Sequence, residues 1–258
     1  MNSAKNALAL LAHPDDAEFT CAGTLALLCQ RGWRIHIATM TPGQCGSKTL
    51  PPEEIAAVRR KEAASAAGIL NARYHCLERE DFFVSNDRET KLAAVELVRR
   101  VKPDIVFVHS PSDYICDHEE ASAIGRDAAF WAGVPNISTP DSEPLLNVPH
   151  LYYVDPMEGK DAFGERVVPS LLIDISEVIE TKAQMLLRHS SQRDWLMEHH
   201  GMDEYTEAMK RMGSDRGDLV GRNFAEGFRQ HLGHGYPQDD LLKANLERLA
   251  YLPNRSFA

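Results

Sequence analysis

No stretch of 18 apolar residues occurs in the 258-residue chain, which excludes an ordinary transmembrane helix. The N-terminus also lacks the charged, then apolar, then small-residue order of a secretory signal. Cysteine is scarce and scattered: Cys21, Cys29, Cys45, Cys76 and Cys116 are odd in number and contain no CxxC pair. That pattern gives little support to a cysteine zinc site or a disulfide framework, and predicts reduced thiols in a cytoplasmic protein. Positive charge is the minority sign. With 28 Lys and Arg against 38 Asp and Glu, the formal net charge is −10, which argues against a nucleic-acid binder. Repeats, low-complexity linkers and a clean domain break are absent as well. What remains, 43% hydrophobic and 26% charged, is an ordinary globular composition in a chain long enough to bury a proper core.

Short apolar runs alternate with longer amphipathic segments through the first two-thirds. Strands are predicted at Ala7–Ala12, Arg34–Met40, Arg73–Glu78 and Asp104–Ser110, with two more in "HLYYVD" and "SLLIDI". Helices are predicted between them, over Phe19–Arg31, Pro52–Ala67, Arg88–Val101 and Asp117–Ala132. Strands separated by helices of that length pair in parallel, so the expected fold is α/β: a Rossmann-like, doubly wound, mostly parallel sheet with helices on both faces. From Glu177 the pattern reads as helix only, over Glu177–Glu198, Asp203–Met212 and Leu219–Gln230. One domain is therefore expected, with a core over about 7–176 and a helical C-terminal extension over about 177–258.

In open parallel sheets ligands bind beyond the carboxyl ends of the strands. Three polar loops fall there: His13-Pro14-Asp15-Asp16, Thr41-Pro42-Gly43, and "HSPSDYICDH". The second has Gly46 nearby but neither the spacing nor the lysine of a P-loop. In the first, one aspartate can cap the coming helix, which leaves His13 and the other aspartate unexplained. A divalent cation accounts for all three, since it offsets the repulsion of adjacent carboxylates. His118, at the start of the helix after the fourth strand, is the leading candidate for a further ligand, against the reading of an ordinary helix-start histidine. Asp117 beside it either caps that helix or orients a histidine ligand. A His, Asp, His set with an open position suits a catalytic rather than a structural zinc.

"AHPDDAEF", "TPGQCGS", Arg59-x-x-Glu62 and "DH" after strand four together resemble the LmbE-like (PIG-L) superfamily over about residues 7 to 130, with an echo in "RHSSQ" at Arg188–Gln192. The resemblance implies a zinc-dependent N-deacetylase acting on N-acetylglucosamine-type substrates, and a homo-oligomer. It implies His13, Asp16 and His118 as zinc ligands and Asp15 as the general base for the activated water. Arg59 is implied as a substrate contact, with Asp81 its polar partner near the pocket rim; the competing reading of Arg59, beside Arg60 and Lys61, is a solvated helix face. Where many members carry a histidine proposed to stabilise the oxyanion, this chain has Ile115, which donates no hydrogen bond. Tyr114 and His109 are local replacements. A second source is the glycine-rich "GFRQHLGHGYP", whose His231, His234 and Tyr236 are candidates to fold over this pocket or a neighbour's.

The superfamily resemblance also reaches a zinc-dependent hydratase of an unsaturated dicarboxylic acid, and Ile115 keeps that alternative open. Its mark would be two or more cationic side chains near the metal beyond Arg59. A protein that binds but has lost catalysis is the third reading, disfavoured by the intact His13, Asp15, Asp16 and His118. A two-nitrogen, one-carboxylate set also takes iron or cobalt. Trp33, Trp131 and Trp195 are assigned to packing, and a second metal site at His199-His200 is rejected because adjacent helical residues point apart.

Overall fold

The computed structural model of the protein describes residues 4–192 and 204–253. Eight strands form one sheet: β1 (Asn6–Leu11), β2 (Arg34–Thr39), β3 (Arg73–Cys76), β4 (Ile105–Val108), β5 (His150–Val154), β6 (Leu171–Asp174), β7 (Ala225–Gln230) and β8 (Ala250–Tyr251). Their order is β3-β2-β1-β4-β5-β7-β6-β8. The first five run parallel, and β7, β6 and β8 add an antiparallel half.

The helices follow from local chemistry. After α1 (Asp16–Thr20) and α2 (Ala22–Gln30), α3 (Pro52–Gly68) begins with proline in its first turn and Glu53 and Glu54 at its positive end. Asp87 caps α4 (Arg88–Val101) by accepting from the Thr90 N–H at 2.8 Å. α5 (Cys116–Trp131), α6 (Ile179–Leu186), α7 (Glu204–Asp218) and α8 (Leu241–Leu246) follow.

Side chains of a strand alternate between faces, and β1 is buried on both. Ala7, Ala9 and Leu11 join the core beneath α2, α3, α6 and α7, whereas Leu8, Leu10 and Ala12 join the one beneath α4 and α5. The doubly wound arrangement is thus present. The strand order reverses between β1 and β4, and the carboxyl ends of those two strands face the same crevice.

The C-terminal third differs from expectation. Leu219–Gln230, predicted as helix, contains β7, which lies between β5 and β6 and pairs Val154 with Phe228 and Asp174 with Ala225. Gly227 explains why that strand passes there: a Cβ on it would stand 2.1 Å from Asp155 Oδ2, so only glycine fits. Glu226 is buried with the Lys182 ammonium at 2.6 Å and accepts from the Gly23 and Thr24 N–H groups at the start of α2. The C-terminal part therefore completes the sheet rather than appending helices to it. The predicted helix Glu177–Glu198 is seen as α6, and Trp195, His199 and His200 lie outside the described residues.

One close approach sets the position of α5. A Cβ on Gly125 would lie 2.5 Å from Val108 Cγ1, so the helix rests directly on β4. Alanine favours helix by up to about 1 kcal/mol over glycine, but overpacking against a stiff β-branched side chain costs about 1–3 kcal/mol. Gly125→Ala is expected to lower stability on balance, with the thermal midpoint falling by a few degrees. An unchanged midpoint would show that α5 can lift without cost.

Candidate metal centre and active site

The turn after β1 and the start of α5 bring His13, Asp16 and His118 together, with one donor atom of each within 4.8 Å of the others. His118 Nε2 lies 3.3 Å from Asp16 Oδ1, and His13 Nδ1 lies 3.5 Å from Asp16 Oδ2. His118 Nε2 is buried and makes no hydrogen bond. A buried imidazole nitrogen without a hydrogen bond, facing a carboxylate and a second imidazole, fits a divalent cation.

The opposite nitrogens of both rings are held by carboxylates. Asp113 Oδ2 stands 3.0 Å from His118 Nδ1, while Asp117 Oδ2 and Asp81 Oδ1 stand 3.2 and 3.1 Å from His13 Nε2. Carboxylates in those places fix the tautomers so that His118 Nε2 and His13 Nδ1 face the cluster as lone-pair donors. Two expectations are corrected here. Asp81 is not at a pocket rim: it is 3% exposed, takes the Cys45 N–H at 2.9 Å and orients His13. Asp117 orients His13 rather than its neighbour His118, and it also accepts from the backbone of Phe82 and Val84. Asp113, which holds His118, is a residue that the sequence does not single out. The available signal was an unassigned carboxylate in the same loop as His118.

Charge in this pocket is strongly coupled. Burial pushes the Asp16 carboxyl up, but the His118 and His109 rings outweigh it and hold Asp16 well below the usual range. For His118, burial works against the charged ring, yet Asp16 and Asp113 raise it to about 9. His13 is likewise raised in spite of its burial, by Asp117, Asp16 and Asp81. A cation taking these sites must therefore displace protons.

Asp15 stands apart from the donors. It adopts φ 106, a left-handed conformation that aspartate tolerates better than most residues. Its Oδ2 accepts from the Tyr205 hydroxyl at 2.5 Å and lies 3.6 Å from Arg59 Nη2. Burial raises its pKa while Arg59 pulls it back, which suits a proton acceptor better than an idle carboxylate does. Tyr205, on α7 some 190 positions away, had no local sequence signal.

Arg59 is buried, not on a solvated face; Nη2 donates to Pro14 O at 2.8 Å and Nη1 to Gly43 O at 3.2 Å. Its guanidinium thus ties the loop after β1 to the loop after β2. Gly43, at φ +72, leaves no room for a Cβ beside it. Glu62, one turn on, accepts from Ser190 and Ser191, and Gln192 Nε2 donates to Gly46 O. The Arg59-x-x-Glu62 and "RHSSQ" motifs are two sides of one clamp.

Tyr114 is at the mouth: its ring meets His118 edge-on at 5.2 Å and is 68% exposed. His109 does not reach a substrate. It is buried, stacks on His118 at 3.8 Å, and has Nε2 near both the Ala12 N–H and Asp16. Burial and His118 depress it to about 4, so the ring is neutral. His231 and His234 do not join the cluster. His231 bonds the Tyr153 hydroxyl at 2.9 Å and its N–H donates to Leu151 O, below the carboxyl edge of β5. Tyr236 in the same segment donates to Arg126 O, eight residues or about 12 Å along α5 from His118. His234 is exposed. A turn held by Tyr153 and Arg126 leaves these histidines on the α5 flank of the sheet.

An α/β sheet whose switch-point crevice holds a His, Asp, His donor set beside a further carboxylate is the arrangement of a metal-dependent enzyme. Residues 8–129 match the family model described as PIG-L: GlcNAc-PI de-N-acetylase. Three curated relatives span it in part. A diacetylchitobiose deacetylase of Thermococcus kodakarensis is 26% identical, over 88% of this chain and 84% of its own. A 4-oxalmesaconate hydratase of Pseudomonas putida is 26% identical, over 69% and 70%. A probable N-acetyl-alpha-D-glucosaminyl L-malate deacetylase 2 of Bacillus cereus is 29% identical, over 75% and 86%. Among solved structures, the conserved protein TT1542 of Thermus thermophilus superposes with a TM-score of 0.74 at 29% identity, covering 91% of this chain and 98% of that one. No helix among the described residues is long and apolar enough to cross a membrane.

Proposed function

We propose that the protein is a zinc-dependent deacetylase that removes an N-acetyl group from an N-acetylglucosamine-type amino sugar or a related small molecule. The observation that carries this reading is Asp15: a buried carboxylate outside the donor set, held by Tyr205 and Arg59 at the edge of that set. His13 Nδ1, Asp16 and His118 Nε2 would hold the cation. When bound, the cation supplies Lewis acidity, acidifying water and polarising the amide carbonyl.

Asp15 accepts the proton of the attacking water and returns it to the leaving nitrogen, so that the amine departs neutral. Tyr205, by donating to Oδ2, fixes the carboxylate and leaves Oδ1 for the water. Ile115 cannot serve the oxyanion, and His109 is sealed beneath His118. Tyr114 takes that role: a phenol is a hydrogen-bond donor at neutral pH, and its ring, 68% exposed, stands edge-on to His118 at 5.2 Å. The reading extends to one LmbE-like domain working as a cytoplasmic homo-oligomer, in keeping with five free cysteines.

Hydration of an unsaturated dicarboxylic acid is the second reading. The lack of a donor at Ile115, the hydratase among the relatives, and the cationic Lys160, Arg166 and Arg211 lining the neighbouring cavity favour it. The two separate cleanly on zinc-loaded protein. Acetate release from a panel of N-acetylglucosaminides is expected, with no loss of conjugated absorbance from an unsaturated dicarboxylate; the reverse result would overturn the deacetylase reading.

A further inference from the structure

A cavity of about 490 Å³ lies between the 157–166 loop and α7; the metal donors do not line it, but two residues that do are bonded to carboxylates beside those donors. Both of its walls are fastened to the active site. Tyr205, which lines it, donates to Asp15, and the N–H of Met157, which also lines it, donates to Asp113 Oδ1 at 3.2 Å. Phe19, one helical turn from Asp16, meets Tyr205 edge-on at 5.1 Å and completes an apolar floor.

The rim is cationic in a chain of net charge −10. Lys160, Arg166 and Arg211 line it and are exposed. Among the described residues neither Arg166 nor Arg211 has an ion-pair partner, and Lys160 reaches only the exposed Glu158, at 3.4 Å. Arg216 is different, because Asp155 neutralises it at 2.6 Å through Nε and its Nη2 is spent on Val167 O. Two acids, Glu158 and Asp215, also line the cavity, and Asp215 makes no ion pair with Arg211 one turn before it. Two guanidinium groups with no ion-pair partner among the described residues, above an apolar floor, each offer paired N–H donors to a carboxylate or phosphate. Six residues of helix separate Tyr205 from Arg211, about 9 Å, so an anion held there sits roughly one sugar ring beyond the group that faces Asp15.

We propose that this cavity is the subsite for an anionic arm of the substrate, a carboxylate or phosphate borne on the substituent that leads away from the N-acetyl group. The assignment rests on the deacetylase reading for which end enters first, and it makes the substrate an acidic amino-sugar conjugate rather than a neutral oligosaccharide.

Three N-acetylglucosaminides differing only in the aglycone test it: methyl, carboxymethyl and phosphoethyl. On zinc-loaded protein kcat/KM is expected to be at least tenfold higher for an anionic member than for the methyl glycoside. In Arg166→Gln/Arg211→Gln that ratio is expected to collapse to near one, and both sites are exposed enough that the fold should survive the change. Calorimetric binding of the same anionic compounds to the Asp15→Asn protein gives a readout free of turnover, and adding the two arginine changes should abolish it. Deacetylation of all three at equal kcat/KM, unaltered in the double variant, would overturn the subsite and leave the deacetylase standing. Arginine-dependent binding with no acetate released from any of them would keep the subsite and overturn the deacetylase. The larger of the two anionic ratios identifies carboxylate or phosphate.

Discussion

Asp15→Asn is expected to retain its metal and lose on the order of 10²- to 10⁴-fold in kcat, the range that a positioned general acid-base supplies. The substitution isolates proton transfer because so little else changes. Asparagine tolerates the left-handed backbone at φ 106 as well as aspartate does. Its carbonyl oxygen still accepts from the Tyr205 hydroxyl, and His13, Asp16 and His118 keep their donors. What disappears is the basic oxygen. Stability is not expected to suffer, since burial already disfavours the ionised carboxylate and a neutral amide relieves that cost. Turnover, zinc content and thermal midpoint should thus separate: the first collapses while the other two hold. A variant that turns over within a few-fold of the parent would remove Asp15 from the chemistry. One that loses zinc would make it a ligand.

Much of this site is legible in the sequence because its parts are local. His13, Asp15 and Asp16 lie within four residues at the end of a buried strand, and His118 follows the strand that neighbours it in the sheet. Apolar period and strand-helix alternation mark out the parallel half for the same reason. The misreadings share the opposite cause. "NFAEGFRQ" has helix-forming residues and two phenylalanines four apart, and only its place between β5 and β6 makes it a strand. Its Glu226 looks like surface charge until Lys182 and the start of α2, some 200 residues earlier, close around it. Tyr205 reaches Asp15 across a similar span. Asp81 is visible as a functional carboxylate but reads as a substrate contact, because sequence does not say which imidazole face a carboxylate will meet. Composition alone draws the "HLGHGYP" histidines toward the site, and Tyr153 and Arg126 hold that turn elsewhere.

The second large effect is expected at His118. Its Nε2 makes no hydrogen bond within the cluster, so His118→Ala removes a donor that is open to a cation. Wild-type protein is expected to gain stability from zinc, by about 2.7 kcal/mol when free metal is 100 times the dissociation constant, and to lose that gain to a chelator. His118→Ala should show neither response. The orienting carboxylates give the graded comparison. Asp113→Asn and Asp117→Asn each leave the three donors in place but weaken the hold on His118 or on His13, and about 10- to 100-fold in zinc affinity is the usual cost of such a loss. Their midpoints should still rise with zinc, at correspondingly higher concentrations. That ordering, with ligand removal beyond either carboxylate change, distinguishes a metal centre from a hydrogen-bonded cluster of histidines and aspartates. In such a cluster no variant would depend on metal, and the wild-type midpoint would be indifferent to both zinc and chelator.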